Sequence, residues 1–164
     1  MAFEIERDWT TQAGLRAVVV INKSGERRTH RCGYVGIPKT HPLFGVSYHA
    51  QADCLSAEMV ENQTVGKKSP ILALTAMCGA DTENSIRRSP DVAFDVHGGL
   101  TYSGESGEYP AKAEDLWWYG FDCRHYGDGE IEPDPYYAFH EGPVRDLDYV
   151  SAECESLAQQ LAAL

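Results

Sequence analysis

The clearest periodicity lies at the end of the chain, where Leu147, Val150, Cys154, Leu157, Ala158, Leu161 and Leu164 recur at three- and four-residue spacing. This spacing predicts an amphipathic helix with one apolar stripe, Asp146 as its N-cap, and a sheet beneath it to cover. The first half carries a different pattern. Residues 17–21, AVVVI, form a β-branched run closed by Asn22-Lys23-Ser24-Gly25, and residues 27–35 follow as a second extended segment, which together predict a β-hairpin. Residues 33–45, with three glycines and two prolines, predict an ordered loop. Ala52, Leu55, Met59 and Val60 fall at helical spacing within the weakly patterned stretch 47–84. There, residues 70–78, PILALTAMC, read as buried but of undecided type. Residues 82–89 predict a turn or short helix, residues 91–102 a strand interrupted by Gly98-Gly99, and residues 103–114 an exposed connection. Residues 116–123 predict another strand, most simply antiparallel to the 91–102 segment, and the proline-containing residues 128–145 an irregular flap. These elements predict an α+β fold, an antiparallel or mixed sheet with the C-terminal helix packed on it. Residues 1–164 are expected to form a single globular domain, a length sufficient for a substantial core.

Charge and cysteine usage narrow the partners. The balance of 25 acidic against 14 basic residues, a formal −11, works against duplex nucleic acid, whose phosphates need a basic face. A small anion remains compatible through local cations, of which Arg27, Arg28, Arg31 and Lys39 cluster early. Five cysteines, odd in number and never spaced CxxC, signal neither a disulfide framework nor a zinc ribbon, so reduced thiols and a cytoplasmic setting are expected. The sequence shows no secretory n- and h-region and no run of about 18 apolar residues, so no membrane partner is expected.

Candidate chemistry concentrates in residues 116–128, LWWYGFDCRHYGD, and in residues 95–102, DVHGGLTY. On extended backbone Asp95 and His97 share a face, as do Trp118, Gly120 and Asp122, while His125 and Asp128 follow the strand end. A carboxylate beside an imidazole fixes its tautomer and raises its basicity, which suits acid–base chemistry or metal ligation. No HExxH or HxH spacing is present, so neither a metal nor a cofactor is expected, and Cys123 beside His125 reads as a small buried thiol rather than a nucleophile. Trp117 and Trp118 face opposite sides of a regular strand. Trp118, Tyr102 or Tyr34 would then stack on a planar ligand, and Gly98 and Gly99 would allow close backbone approach. Asp95, His97 and Asp122 would read polar edges, with Lys39 or Arg31 near a phosphate.

The segments CGYVGIPKTHPLFG, DVHGGLTYSG, WWYGFDCRHYGD and YVSAECESLAQQL form an ordered four-part signature over residues 30–161. It resembles that of a family of small bacteriophage and prophage proteins. The resemblance implies no particular activity, but the phage setting implies action in a host cytoplasm, where nucleotide immune signals are one kind of target. The leading expectation is therefore a non-catalytic pocket that binds, and thereby sequesters, a small nucleotide-like ligand. The alternative is a hydrolase using His97 and His125 with Asp95, Asp122 or Asp128, with or without a metal. A third reading is an acidic protein-binding inhibitor, and a homo-oligomer is left open.

Overall fold

A computed structural model describes residues 2–56, 88–105, 107–136 and 142–164. Its centre is a five-stranded antiparallel sheet in the order β1-β2-β3-β5-β4. The strands are β1 (Ala2–Thr10), β2 (Arg16–Ser24), β3 (Arg27–Pro38), β4 (Tyr102–Glu105) and β5 (Leu116–Asp122). A short helix α1 (Pro90–Ala93) precedes β4, and the long helix α2 (Leu147–Ala162) closes the chain. The sheet, the C-terminal helix and the β2–β3 hairpin are as expected, with Gly25 supplying the positive φ of the tight turn.

The side-chain alternation of the central strands sorts the core into two halves. On one face Ala17, Val19, Val35, Ile37, Tyr119 and Phe121 meet the buried stripe of α2, Val150, Cys154, Leu157, Ala158 and Leu161. On the other face Val18, Val20, Cys32, Tyr34 and Trp118 pack under Ala111 and Tyr109 of the β4–β5 connection. Asp146 caps α2 by accepting a hydrogen bond from the Tyr149 amide at 2.8 Å. Such a cap contributes about 1 kcal/mol, whereas each fully buried Val or Leu contributes about 1.5–3 kcal/mol, so the stripe holds the helix in place.

Strand β1 has no counterpart in the sequence-based expectations. Its residues Glu4, Glu6, Arg7 and Asp8 obscure the apolar alternation, and it gains its place through the antiparallel ladder with β2 and the packing of Phe3 and Trp9, with cross-strand ion pairs added, Glu4 with Lys23 of β2, Asp8 with Arg16 of β2, and Glu6 with Arg31 of β3. Charges on an edge strand also discourage further strand addition.

Two expectations are corrected. Residues 94–101 do not form a strand. The amides of Asp95 and His97 donate to Gln160 Oε1 (2.8 Å) and Glu153 Oε2 (2.7 Å) of α2, so the groups a neighbouring strand would pair with are taken by the helix. Pairing with β5 on this side begins at Tyr102, where β4 runs antiparallel to it with Tyr102 opposite Gly120. The β4–β5 connection is not simply exposed either, because Pro110 and Ala111 are buried as a cover for the second sheet face. Residues 51–56 form turns, with Ala52 and Leu55 buried; Met59, Val60 and residues 70–78 lie outside the described residues, as do 82–87. Within the stretch expected to be irregular, residues 131–132 run beside β3, the Ile131 and Glu132 amides donating to the carbonyls of Thr29 and Arg28.

Helix α2 lies close to the sheet because β3 carries glycine at the contact. A Cβ at Gly33 would stand 2.5 Å from the Phe121 ring and 2.7 Å from Cys154 Sγ, and neither neighbour is a flexible chain end. Gly33→Ala is expected to cost about 1–3 kcal/mol in urea unfolding, whereas Gly107→Ala, with open space around it, should stay within about 0.5 kcal/mol of the parent. Equal stabilities for the two variants would show that the helix does not pack as described.

Candidate functional site

The chemistry converges where β5 ends. Past Asp122 the chain turns, the Asp128 amide donating to the His125 carbonyl at 3.0 Å, with Gly127 at positive φ within the turn. This turn folds the Asp128 carboxylate inward, where its side chain is only 2 % exposed. A carboxylate that deep requires partners, and Asp128 has three. Its Oδ2 accepts from the His125 amide at 3.0 Å and lies 2.9 Å from His97 Nε2, and its Oδ1 accepts from Arg145 Nε at 2.9 Å. Burial alone would raise the Asp128 carboxyl; the bonds from His97, Arg145 and the His125 amide outweigh it and hold the pKa below the ordinary carboxylate value. The same contact raises the Arg145 guanidinium.

His97 is held from both sides. Opposite Asp128, its Nδ1 lies 3.0 Å from Tyr149 Oη, and its main-chain amide is bound by Glu153. In the neutral ring, Nε2–H donates to Asp128 and Nδ1 accepts the Tyr149 hydroxyl proton. Both ring nitrogens are thus engaged within the protein. His125 differs: its side chain is 34 % exposed, yet its Nδ1 is buried, 3.6 Å from Asp128 Oδ2 and 4.0 Å from Asp122 Oδ1, and has no hydrogen-bond partner among the described residues. The two imidazoles stand edge to face with centroids 5.6 Å apart. Gly98 makes room for them: its φ is +68°, and a Cβ there would fall 2.1 Å from His125 Cε1. Among the described residues, the ligating atoms of His97, His125 and Asp128 come together within 4.8 Å of one another, a set able to hold a metal ion.

The sheet divides the expected site in two. His97, Gly98, His125 and Asp128 converge, with Asp122 at their margin. Gly99 takes part only through its turn, its amide donating to Val96. The aromatic half lies on the opposite sheet face, in the second core. Trp118 is fully buried and Tyr34 is 4 % exposed, so neither can stack on a ligand, and the half-buried Tyr102 packs edge-on against Tyr34 at 5.4 Å. Trp117 turns to the helix side and donates to the Val46 carbonyl. Lys39 follows the far end of β3, roughly 20 Å along the strand from Cys32, and pairs with Asp115 at the surface. Asp95 is fixed to Gln160 through its main chain, in both directions, and is not one of the converging ligands. Arg31 is clamped by Glu6 and by the Arg145 carbonyl, while Arg27 and Arg28 pair with Glu130 and Glu132. The early cations are therefore structural.

Three residues of the centre were not anticipated, Arg145, Tyr149 and Glu153. They recur every four residues from the N-cap region of α2, along the flank of the apolar stripe, which is the signal a polar helix edge leaves in sequence. Comparison with family models, with curated proteins and with solved structures finds no match to the chain. No described helix is long and apolar enough to cross a membrane.

The four cysteines among the described residues are not among the converging ligands. Cys123 is buried beside the centre and burial pushes its thiol well up, while the Cys32 thiol is pushed up to about 12 by the same cause. Native protein treated with iodoacetamide near pH 8 should alkylate the exposed Cys54 and leave Cys32, Cys123 and Cys154 intact until denaturant is added, as peptide mapping would read. Rapid native alkylation of Cys123 would instead mark it as an accessible nucleophile.

Proposed function

We propose that the chain is a small hydrolase whose centre is His125 backed by Asp128, acting on a nucleotide-like substrate. The observation that carries this reading is the asymmetry of the two imidazoles: His97 has both nitrogens engaged, whereas His125 reaches solvent while its buried Nδ1 faces two carboxylates. A carboxylate behind an imidazole supports the positive charge that the ring acquires as a base, and separations of 3.6–4.0 Å are of the kind that tighten when substrate binds. His125 accepts a proton from water as the water's oxygen attacks the electrophilic centre, and returns that proton to the departing oxygen. His97, Arg145 and Tyr149 are positioning residues, which hold Asp128 in place and keep it ionised.

The substrate class rests on other grounds. The resemblance to phage proteins favours a nucleotide signal, and the acidic composition disfavours a duplex. Arg124, beside His125 in the chain, half exposed and paired with Glu130, is the cation we assign to the phosphate, in the role expected of Lys39 or Arg31. With Trp118 and Tyr34 buried and Tyr102 packed edge-on against Tyr34, hydrolysis has more support than stacking-based sequestration, and a host cytoplasm is the compartment in which such a substrate is met.

Incubation of purified protein with a panel of linear and cyclic nucleotides, followed by chromatography of the small molecules, tests the proposal. At least one substrate should be consumed, and His125→Ala should slow its turnover by roughly 10²–10⁴-fold while the melting temperature changes little. Recovery of every nucleotide unchanged, whether free or retained by the protein, would overturn the hydrolytic reading.

A further inference from the structure

The three side chains of this centre also have the geometry of a cation site, and we propose that His97 Nε2, His125 Nδ1 and Asp128 Oδ2 bind one divalent transition-metal ion of the zinc and cobalt kind. This rests on the site of the hydrolytic reading and alters one role in it, because a ring bound through Nδ1 carries its remaining proton on Nε2, so that in the loaded protein the ion rather than His125 would activate the water; the site itself stands on observations of its own. Ligand bonds of about 2.0–2.2 Å place two donors on one ion roughly 3–3.5 Å apart. The separations from Asp128 Oδ2, 2.9 Å to His97 Nε2 and 3.6 Å to His125 Nδ1, bracket that spacing.

The buried Nδ1 of His125 is the second observation. It has no hydrogen-bond partner among the described residues, although a buried ring nitrogen ordinarily finds one. An ion between the rings would satisfy it. Gly98 is the third, since any larger residue there would meet His125 Cε1 and push the ring out of the ligating position.

The surroundings of the ligands fit as well. A ligating imidazole usually donates its other N–H to an acceptor, and Tyr149 Oη stands 3.0 Å from His97 Nδ1 to receive it. A ligating carboxylate is usually hydrogen-bonded through its second oxygen, and Arg145 binds Asp128 Oδ1, leaving Oδ2 turned toward both rings. Two imidazoles and one carboxylate form a borderline donor set that suits zinc, cobalt, nickel or ferrous iron better than magnesium or calcium, which prefer oxygen. The absence of HExxH or HxH spacing does not oppose this assignment, because the ligands come from a segment clasped by the helix and from the turn after β5, and they meet only in the fold.

Cobalt is the discriminating probe because its visible spectrum reports the donor set. Full-length, untagged protein, stripped with chelator and titrated with Co²⁺ alone, is expected to bind one equivalent with ligand-field bands and without the near-ultraviolet charge-transfer band that a thiolate ligand gives. His125→Ala should weaken binding at least tenfold, with His125→Gln as the second variant if the first fails to fold, whereas His49→Ala on the exposed surface should not. No binding of Co²⁺ or Zn²⁺, binding unchanged in the His125 variants, or a thiolate band would each overturn the site. The two readings can fail separately. Stoichiometric Co²⁺ binding with no nucleotide consumed removes the hydrolase and leaves the metal site, while nucleotide turnover by chelator-treated protein that binds no metal does the reverse.

Discussion

The Asp128 carboxylate is the constraint on which the rest of the centre depends. An ionised group at 2 % exposure is tolerable only if its desolvation is offset by donors with good geometry, and the fold brings three of them from separate parts of the chain. His97 comes from a segment that the side chains of α2 hold by its amides, Arg145 from the residue before the α2 N-cap, and the His125 amide from the turn itself. Moving any of these elements would remove one of the donors that offset the buried charge. The position of α2 is in turn set by the apolar stripe and by Gly33, so the packing of the main core and the geometry of the polar centre are linked through one helix.

The two-faced sheet explains why the expected pocket separates into parts. Alternation along β5 sends Trp118 and Gly120 to the face under the β4–β5 connection and Tyr119 and Phe121 to the helix face. Gly120 is itself part of that packing, since a Cβ there would meet the Tyr34 ring at 2.3 Å. The Tyr34, Tyr102 and Tyr109 rings interlock edge to face, and the Tyr34 and Tyr109 hydroxyls bond to one another. These rings form a second core, and their contribution to function is to hold β3 and β5 so that the residues after β5 emerge at a defined place.

Much of this was legible in the sequence where the signal is local. The 3.6-residue period of the last segment, its Asp146 cap, and the β2–β3 hairpin with its turn all follow from short-range pattern, and so does the placement of His97, His125 and Asp128 in the two densest chemical stretches. Information carried by pairing between distant segments was not legible. Strand β1 is recognised only through its ladder with β2, with acids matched to Lys23, Arg16 and Arg31; residues 94–101 look like a strand until the amides of Asp95 and His97 meet Gln160 and Glu153; and the choice between core and pocket for Trp118 depends on what covers its face. Arg145, Tyr149 and Glu153 enter the centre only when α2 is docked, so their four-residue spacing acquires meaning from the structure.

A double-mutant cycle on urea unfolding, with His97→Ala and Asp128→Ala singly and together, tests most directly whether these groups form one coupled centre. The account predicts that the two losses fail to add by about 0.5–3 kcal/mol, because each variant removes the same buried contact. Losses that add to within about 0.5 kcal/mol would mean that His97 and Asp128 are independent, and the centre described here would not exist as a unit.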